Sequence, residues 1–188
     1  MNNPPTEYIL LGTLMQGPRH GYEIMRFLES ALKAAWRVSS SQLYNLMKRM
    51  EKENLLESNI EPQATRPSKR VFKITEKGKG VFLAWLSSPT DHVRDFRLEF
   101  LGKLFFYHKL SLKGAMELTE AQIQVLHQVQ QRLFKEKMEE NDPFNVLIYD
   151  FKLETVRGQL RWLSRSAKDY IVKQNGRHKK GLSGGKRG

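Results

Sequence analysis

The 188-residue chain contains no cysteine, which excludes disulfide bonds, thiolate metal sites and cysteine nucleophiles. It also lacks an apolar run near the ~18 residues that a membrane-spanning helix needs. No charged-then-apolar leader stands at its start. We therefore expect a cytosolic, cytoplasmic protein with no membrane partner.

Acidic residues are scarce beside basic ones, with 20 Asp and Glu against 32 Lys and Arg. The excess lies at the two ends: the net charge is +5 over residues 1–89, +1 over residues 90–172 and +6 over residues 173–188. Clustered positive charge favours a polyanionic partner, and a nearly neutral middle is typical of a packing or dimerisation domain. Residues 174–188 are Gly-rich and basic, which predicts a disordered tail that either contacts phosphates nonspecifically or keeps the protein soluble.

No constellation in the sequence indicates an enzyme. The five histidines are scattered without metal-ligand spacing: His20, His92, His108, His127 and His178. We interpret Asp91-His92-x-x-Asp95 as a polar hinge between domains, in preference to a metal or acid-base site. The glycines of EKGKG (76–80) have neither phosphate-loop nor dinucleotide spacing. We therefore predict no catalytic residue, no metal and no cofactor.

The first 88 residues combine short helical patterns with a hairpin. YILLGTLM and IMRFLESALKAAW predict two helices, and VSSSQLYNLMKRMEKENLLES (38–58) predicts a third, because its apolar residues Leu43, Leu46, Met47 and Met50 follow helical spacing. LLESNIE and KRVFKIT then predict two short strands with a basic tip. A further helix is expected from Thr75 to just before Pro89. This order predicts a winged helix-turn-helix, a mainly α fold in which the hairpin is the wing.

The outer face of the third predicted helix and the wing carry polar and basic side chains suited to duplex DNA. In a helix-turn-helix the first residues of the recognition helix face base edges, and basic residues further on neutralise phosphates. The predicted DNA-binding residues are Ser40, Ser41, Gln42, Tyr44, Asn45, Lys48, Arg49, Arg66, Lys69 and Arg70. Gln42 has an alternative role, because Ser39-x-x-Gln42 has the pattern of a capping box and its side chain can reach back to the helix end.

Residues 89–173 are predicted to be entirely helical and to form a coiled-coil-like dimerisation domain. The last helix, from about Phe144 to Lys173, carries apolar residues that alternate at spacings of three and four. Such a stripe is typical of a seam between helices. The residues predicted to form a dimer seam are Leu153, Val156, Leu160 and Leu163. The alternative is that the stripe packs within the chain.

Three stretches of the sequence, GPRHGYEIMRFLE, VSSSQLYNLMKRMEKENLLES and TRPSKRVFKITEKGKGVFLAWL, resemble the PadR family of winged-helix transcriptional regulators over residues 9–86. Thr65 and Ser68 depart from the family pattern at the wing tip. The resemblance implies a homodimer that binds double-stranded operator DNA and represses its target operon. In the phenolic-acid-responsive members, the regulator leaves the operator when it binds a small aromatic acid.

An effector site of that kind is predicted from the side chains around the second helix. The residues are His20, Tyr22, Trp36 and Arg97, with the aromatic rings for stacking and His20 or Arg97 for a carboxylate. The plainer alternative is that Tyr22 and Trp36 are core aromatics and that His20 caps the helix. A rival function for the whole chain is a winged-helix module that docks onto another protein and binds no duplex.

Overall fold

The computed structural model of the protein describes residues 5–31, 39–61 and 69–174, apart from the side chains of Ala31 and Lys69. Its helices are α1 (Pro5–Leu14), α2 (Gly21–Ala31), α3 (Ser40–Lys52), α4 (Glu76–Ser87), α5 (Phe96–Lys109), α6 (Ala115–Glu139) and α7 (Pro143–Trp162). Its strands are β1 (Arg19–His20), β2 (Leu56–Glu61) and β3 (Lys69–Ile74). A 3₁₀ turn covers Val93–Asp95, and a π-helical turn at Leu163–Ala167 prolongs α7, after which the chain stays helical to residue 174. The mainly α, winged-helix architecture is thus as predicted.

The described chain forms two compact units. The first contains Met1–Ser88 together with Arg97–Ser111, and the second contains Pro89–Phe96 together with Leu112–Gly188. The predicted division between residues 88 and 89 placed α5 in the second domain, whereas α5 packs within the first unit. The reason lies in α1, where a Cβ on Gly12 would stand 2.4 Å from the Phe106 ring of α5. The missing side chain lets α5 pack directly against α1.

The wing is the predicted hairpin with one additional strand. β2 and β3 pair in antiparallel register from Leu56 opposite Ile74 to Glu61 opposite Lys69. Phe72 and Ile74 are buried, so their side of β3 faces the core. The sequence analysis missed β1, which pairs with the other edge of β3 and gives the strand order β1-β3-β2. A strand of two residues is too short to show a period in the sequence.

The helix that follows the wing begins where the sequence predicted. The Thr75 hydroxyl accepts a hydrogen bond from the Gly78 N–H at 3.0 Å, which caps α4. Gly78 also lies against the backbone carbonyl of Leu55, and a Cβ at Gly78 would stand 2.2 Å from that oxygen. Only a residue without a side chain allows this approach, so Gly78 attaches α4 to the segment between α3 and β2.

The second unit is a hairpin of α6 and α7 with a buried apolar seam. Leu118, Leu126 and Leu133 of α6 are buried, as are the four residues predicted to form the dimer seam: Leu153, Val156, Leu160 and Leu163. This burial corrects the prediction that the four residues form a dimer seam and favours the alternative, in which the stripe packs within the chain. Because α7 packs along α6, the alternating stripe is satisfied within a single chain.

Residues 89–96, which belong to the second unit, are hydrogen-bonded to its helices. The buried side chain of Gln122 accepts from the Thr90 N–H at 2.6 Å and donates to the Thr90 carbonyl at 2.9 Å. The Gln159 amide donates to the Val93 carbonyl at 3.1 Å. The Phe96 ring meets Trp162 edge to face, with centroids 6.0 Å apart. The segment interpreted as a polar hinge is therefore anchored to α6 and α7.

Candidate nucleic-acid interface

Helix α3 has one buried face and one exposed face. Leu43, Met47 and Met50 have no solvent exposure and hold the helix on the core of the first unit. The opposite side is exposed at five of the residues predicted to contact DNA: Ser40, Ser41, Tyr44, Asn45 and Lys48. The structure therefore brings these hydroxyl, amide and ammonium groups together along the first two and a half turns of one helix.

Gln42 takes the capping role that the sequence left open. Its side-chain oxygen accepts from the Ser39 N–H at 3.1 Å, and the Ser39 hydroxyl accepts from the Gln42 N–H. The two residues complete the capping box at the start of α3. We therefore assign Gln42 to the helix end, where it fixes the backbone from which Ser40 and Ser41 project.

Arg49, predicted as a phosphate contact, is engaged within the protein. Its guanidinium forms an ion pair with Glu7 of α1, a carboxylate only 1% exposed, and lies 3.9 Å from Glu53. A buried carboxylate without a cationic partner is costly, so this arginine neutralises a charge in the core. The sequence analysis missed Glu7, and the signal for it was an acidic residue immediately before the apolar stretch of the first helix.

Arg70 of β3 is also engaged, with the far end of α3. It donates to the two carboxylate oxygens of Glu51 at 2.8 and 2.9 Å and to the Ser58 hydroxyl at 2.8 Å, and Ser58 in turn donates to Glu51. Its guanidinium also lies 5.3 Å from the centre of the Phe72 ring. This cluster ties the wing to α3. Arg70 therefore holds β3 of the wing and α3 together.

A groove of about 790 Å³ runs between α2, α3 and β3 in the first unit. Its lining includes His20, Tyr22, Arg26, Tyr44 and Arg70. Tyr22 is 69% exposed at the rim, which excludes the core role considered for it. The His20 Nδ1 is buried without a hydrogen-bond partner among the described residues. Two of the predicted effector residues thus share one basic, aromatic groove.

The remaining predicted site residues do not join these clusters. Arg97 is exposed on α5 and is absent from the lining of the groove. Arg66 and Trp36 lie outside the described residues, and for Lys69 only the backbone, paired with Glu61, is described. Over residues 5–31, 39–61 and 69–174, no cluster of three metal-ligating side chains occurs. None of the helices in these ranges is long and apolar enough to cross a membrane.

A helical core with a capped, outward-facing third helix and a hairpin beside it defines the winged helix-turn-helix class of proteins. Residues 10–83 match the family described as "Transcriptional regulator PadR-like family". Over this domain the chain is similar to the PadR-like family of transcriptional regulators, in agreement with its sequence motifs.

Named relatives agree with this assignment. The chain is 28% identical over 118 residues to the "Negative transcriptional regulator PadR" of Bacillus subtilis, covering 63% of this chain and 65% of that protein. It is 26% identical over 90 residues to the "Probable transcriptional regulator Rv1176c" of Mycobacterium tuberculosis, covering 48% of each. The chain thus spans less than two thirds of the length of either curated relative. These relatives are named as transcriptional regulators and not as enzymes.

Among solved structures, the chain resembles Bacillus subtilis PadR in complex with operator DNA. The TM-score is 0.47 at 22% identity, with 88% of this chain and 98% of that chain covered. The structure of smu.1604c from Streptococcus mutans gives a TM-score of 0.44 at 25% identity, with 85% and 96% covered.

Proposed function

We propose that the protein is a dimeric repressor that binds double-stranded operator DNA in the cytoplasm through α3 and the wing. The observation that carries this proposal is the exposed polar row of Ser40, Ser41, Tyr44, Asn45 and Lys48 on a helix whose opposite face is fully buried. Hydroxyl and amide groups at the start of such a helix can read base edges in the major groove, and a lysine one turn later can neutralise a phosphate. A protein-docking face would be more apolar at this position, which favours DNA over the docking alternative.

The experiment compares two variants of α3 on a duplex that the wild-type protein selects from a random pool. Lys48→Gln should weaken binding to the selected and a scrambled duplex alike and reduce the salt slope by about 1.8, because each protomer of the proposed dimer loses one phosphate contact worth ~0.9. Asn45→Ala should weaken binding to the selected duplex about tenfold and leave the scrambled one nearly unchanged, because a base contact is lost. Lys113→Gln, which removes an exposed charge in the second unit, is the control.

A wild-type protein that selects no duplex would contradict the proposal and leave the docking module as the better function. Equal losses on both duplexes for Asn45→Ala would place that residue on the DNA backbone instead. The readout is equilibrium binding by fluorescence anisotropy at several salt concentrations.

We propose that a second copy of the chain covers the turn end of the second unit. Large apolar residues of α6 and α7 near their connection are 55–73% exposed: Phe134, Met138, Phe144, Leu147 and Phe151. They lie outside the buried seam of Leu153 to Leu163. Together they expose on the order of 700 Å², close to the ~800 Å² that each partner contributes to a stable interface. A duplex with two half-sites requires such a two-fold pairing.

We propose that a small aromatic acid acts as effector in the groove of the first unit. His20 and Arg26 supply cationic or hydrogen-bonding groups, and Tyr22 and Tyr44 supply rings for stacking. Tyr44 belongs both to this lining and to the exposed row of α3. A ligand bound against Tyr44 would therefore compete with DNA, which would relieve repression.

A further inference from the structure

The carboxylate of Glu7 has no role in the proposed recognition surface, yet it lies in the core of the first unit. It is 1% exposed on α1, between Pro5 and the buried run that begins at Ile9. One of its oxygens meets Arg49, and the other, Oε2, is buried without a hydrogen-bond partner in the described part of the chain. A buried carboxylate depends strongly on such a cation, so Glu7 restrains the position of Arg49.

Arg49 and Glu51 restrain α3 from opposite flanks. Residues two apart in an α-helix point about 200° apart around the axis. Arg49 pairs with Glu7 of α1, whereas Glu51 pairs with Arg70 of the wing. A helix held by ion pairs on both flanks is restrained against rotation about its own axis. Ser41, Asn45 and Arg49 are spaced four residues apart and therefore lie on one face of α3. A rotation of the helix that moved Arg49 would also change the direction in which Ser41 and Asn45 point.

We infer that Glu7 is a positioning residue for DNA recognition, which sets the rotation of α3 through Arg49 and so aims Ser41 and Asn45 at the base edges. The inference rests on the proposed DNA-binding function. It gives Arg49 a role different from the phosphate contact predicted from the sequence. The two roles differ in what they do to sequence discrimination: a misaimed base contact lowers it, and a lost phosphate contact does not.

The test measures affinity for the selected and scrambled duplexes at several salt concentrations with wild type, Glu7→Gln and Arg49→Gln. In both variants the affinity for the selected duplex should fall about tenfold, and the affinity for the scrambled duplex should change less than about twofold. The salt slope should stay at the wild-type value. Glu53→Gln is the matched control, because Glu53 also approaches Arg49 but is 44% exposed on α3 itself. It should behave as wild type.

Two results would overturn the inference while leaving the proposed function standing. One is a Glu7→Gln protein that discriminates between the duplexes as well as wild type. The other is an Arg49→Gln protein that loses equally on both duplexes with a salt slope reduced by about 1.8, as the loss of one phosphate contact in each protomer would produce. A wild type that binds no duplex would instead refute the proposed function.

A second variant covers the case in which Glu7→Gln does not fold. Replacing both partners, Glu7→Met with Arg49→Met, removes the two charges together, so that no carboxylate is left buried without its cation. We expect this double variant to fold, to bind the scrambled duplex and to discriminate poorly. Wild-type discrimination in the folded double variant would overturn the inference. Failure of the double variant to fold would also overturn it, because the pair would then serve the fold itself.

Discussion

Arg70 donates to both carboxylate oxygens of Glu51, at 2.8 and 2.9 Å, and so joins the central strand of the wing to the last turns of α3. The arginine is 52% exposed and the glutamate 18%, so solvent weakens the pair but does not remove it. Both bonds come from one guanidinium nitrogen, Nη2, while Nε donates to the Ser58 hydroxyl at 2.8 Å. Only the planar guanidinium presents two such donors in a fixed fork, which a lysine lacks. The relative position of wing and helix therefore depends on arginine at this site.

Arg70→Lys should lower the free energy of unfolding by about 1 kcal/mol although it keeps the charge, because a single ammonium cannot donate to Glu51 and reproduce the Nε donation to Ser58 at the same time. Urea unfolding followed by circular dichroism measures this change. Lys73→Arg on the same strand is the control, since Lys73 pairs with Glu57 where both side chains are more than half exposed. It should change the stability by less than about 0.5 kcal/mol. Equal effects of the two substitutions would contradict the assigned role of Arg70.

The two glycines of α4 should respond in opposite directions to alanine. Gly78→Ala places a Cβ 2.2 Å from the Leu55 carbonyl oxygen, and the backbone there cannot move aside cheaply. We expect a loss of about 3 kcal/mol or more, in the range of severe overpacking. Gly80→Ala meets no atom within 4 Å and should stabilise the protein by up to about 1 kcal/mol through helix propensity. Thermal unfolding of the two proteins would settle the sign of each.

Much of the first unit was predictable because its signals are local. The cap at Thr75, the capping box at Ser39 and Gln42, and the alternation around Phe72 each depend on residues close in sequence. The position of α5 was not predictable. It depends on a close approach between Gly12 and Phe106, which lie 94 residues apart in the sequence, and no local pattern reports such a contact.

The sequence predicted which residues of α3 and the wing are polar or basic, but it did not predict which of them form ion pairs within the protein. Exposure of Tyr44, Asn45 and Lys48 follows from helical spacing alone. That Arg49 faces a buried acid, and that Arg70 holds Glu51, requires knowing which elements pack beside α3. For α7, the sequence carries two stripes at spacings of three and four, one from Leu153 to Leu163 and one through Phe144, Leu147 and Phe151. Spacing cannot say which of them faces α6.

Dimerisation should depend on the exposed stripe of α7 and not on the buried one. Leu147→Asp with Phe151→Asp should give a folded monomer, because both side chains are more than 60% exposed in the single chain. Leu160→Asp should instead destabilise the second unit by several kcal/mol, since it buries a charge. Light scattering with circular dichroism separates the two outcomes. A dimer that survives the double substitution would place the interface elsewhere.

Effector binding should be sensitive to the groove and insensitive to α5. A hydroxycinnamate titrated by calorimetry should bind the wild type and release the selected duplex, and Tyr22→Ala should weaken that binding about tenfold by removing an aromatic face at the rim. Arg97→Gln should leave binding unchanged, because Arg97 does not line the groove. Weakening by Arg97→Gln alone would move the effector site away from the groove. No heat and no release with wild type would mean that the groove does not accept this class of acid.

Gln122 should hold residues 89–96 on α6, because its side chain hydrogen-bonds the backbone of Thr90. Its side chain satisfies the N–H and the carbonyl of Thr90, and Gln122→Leu would take away both partners. We expect a loss of about 2 to 4 kcal/mol, because unsatisfied buried backbone groups cost about 1 to 3 kcal/mol each. Gln124→Leu, two residues along α6 at an exposed position, should have little effect. Hydrogen exchange provides a local readout: the Thr90 amide should exchange faster in Gln122→Leu, while amides in the buried part of α1 keep their protection. Wild-type exchange at Thr90 in that variant would show that other contacts anchor the segment.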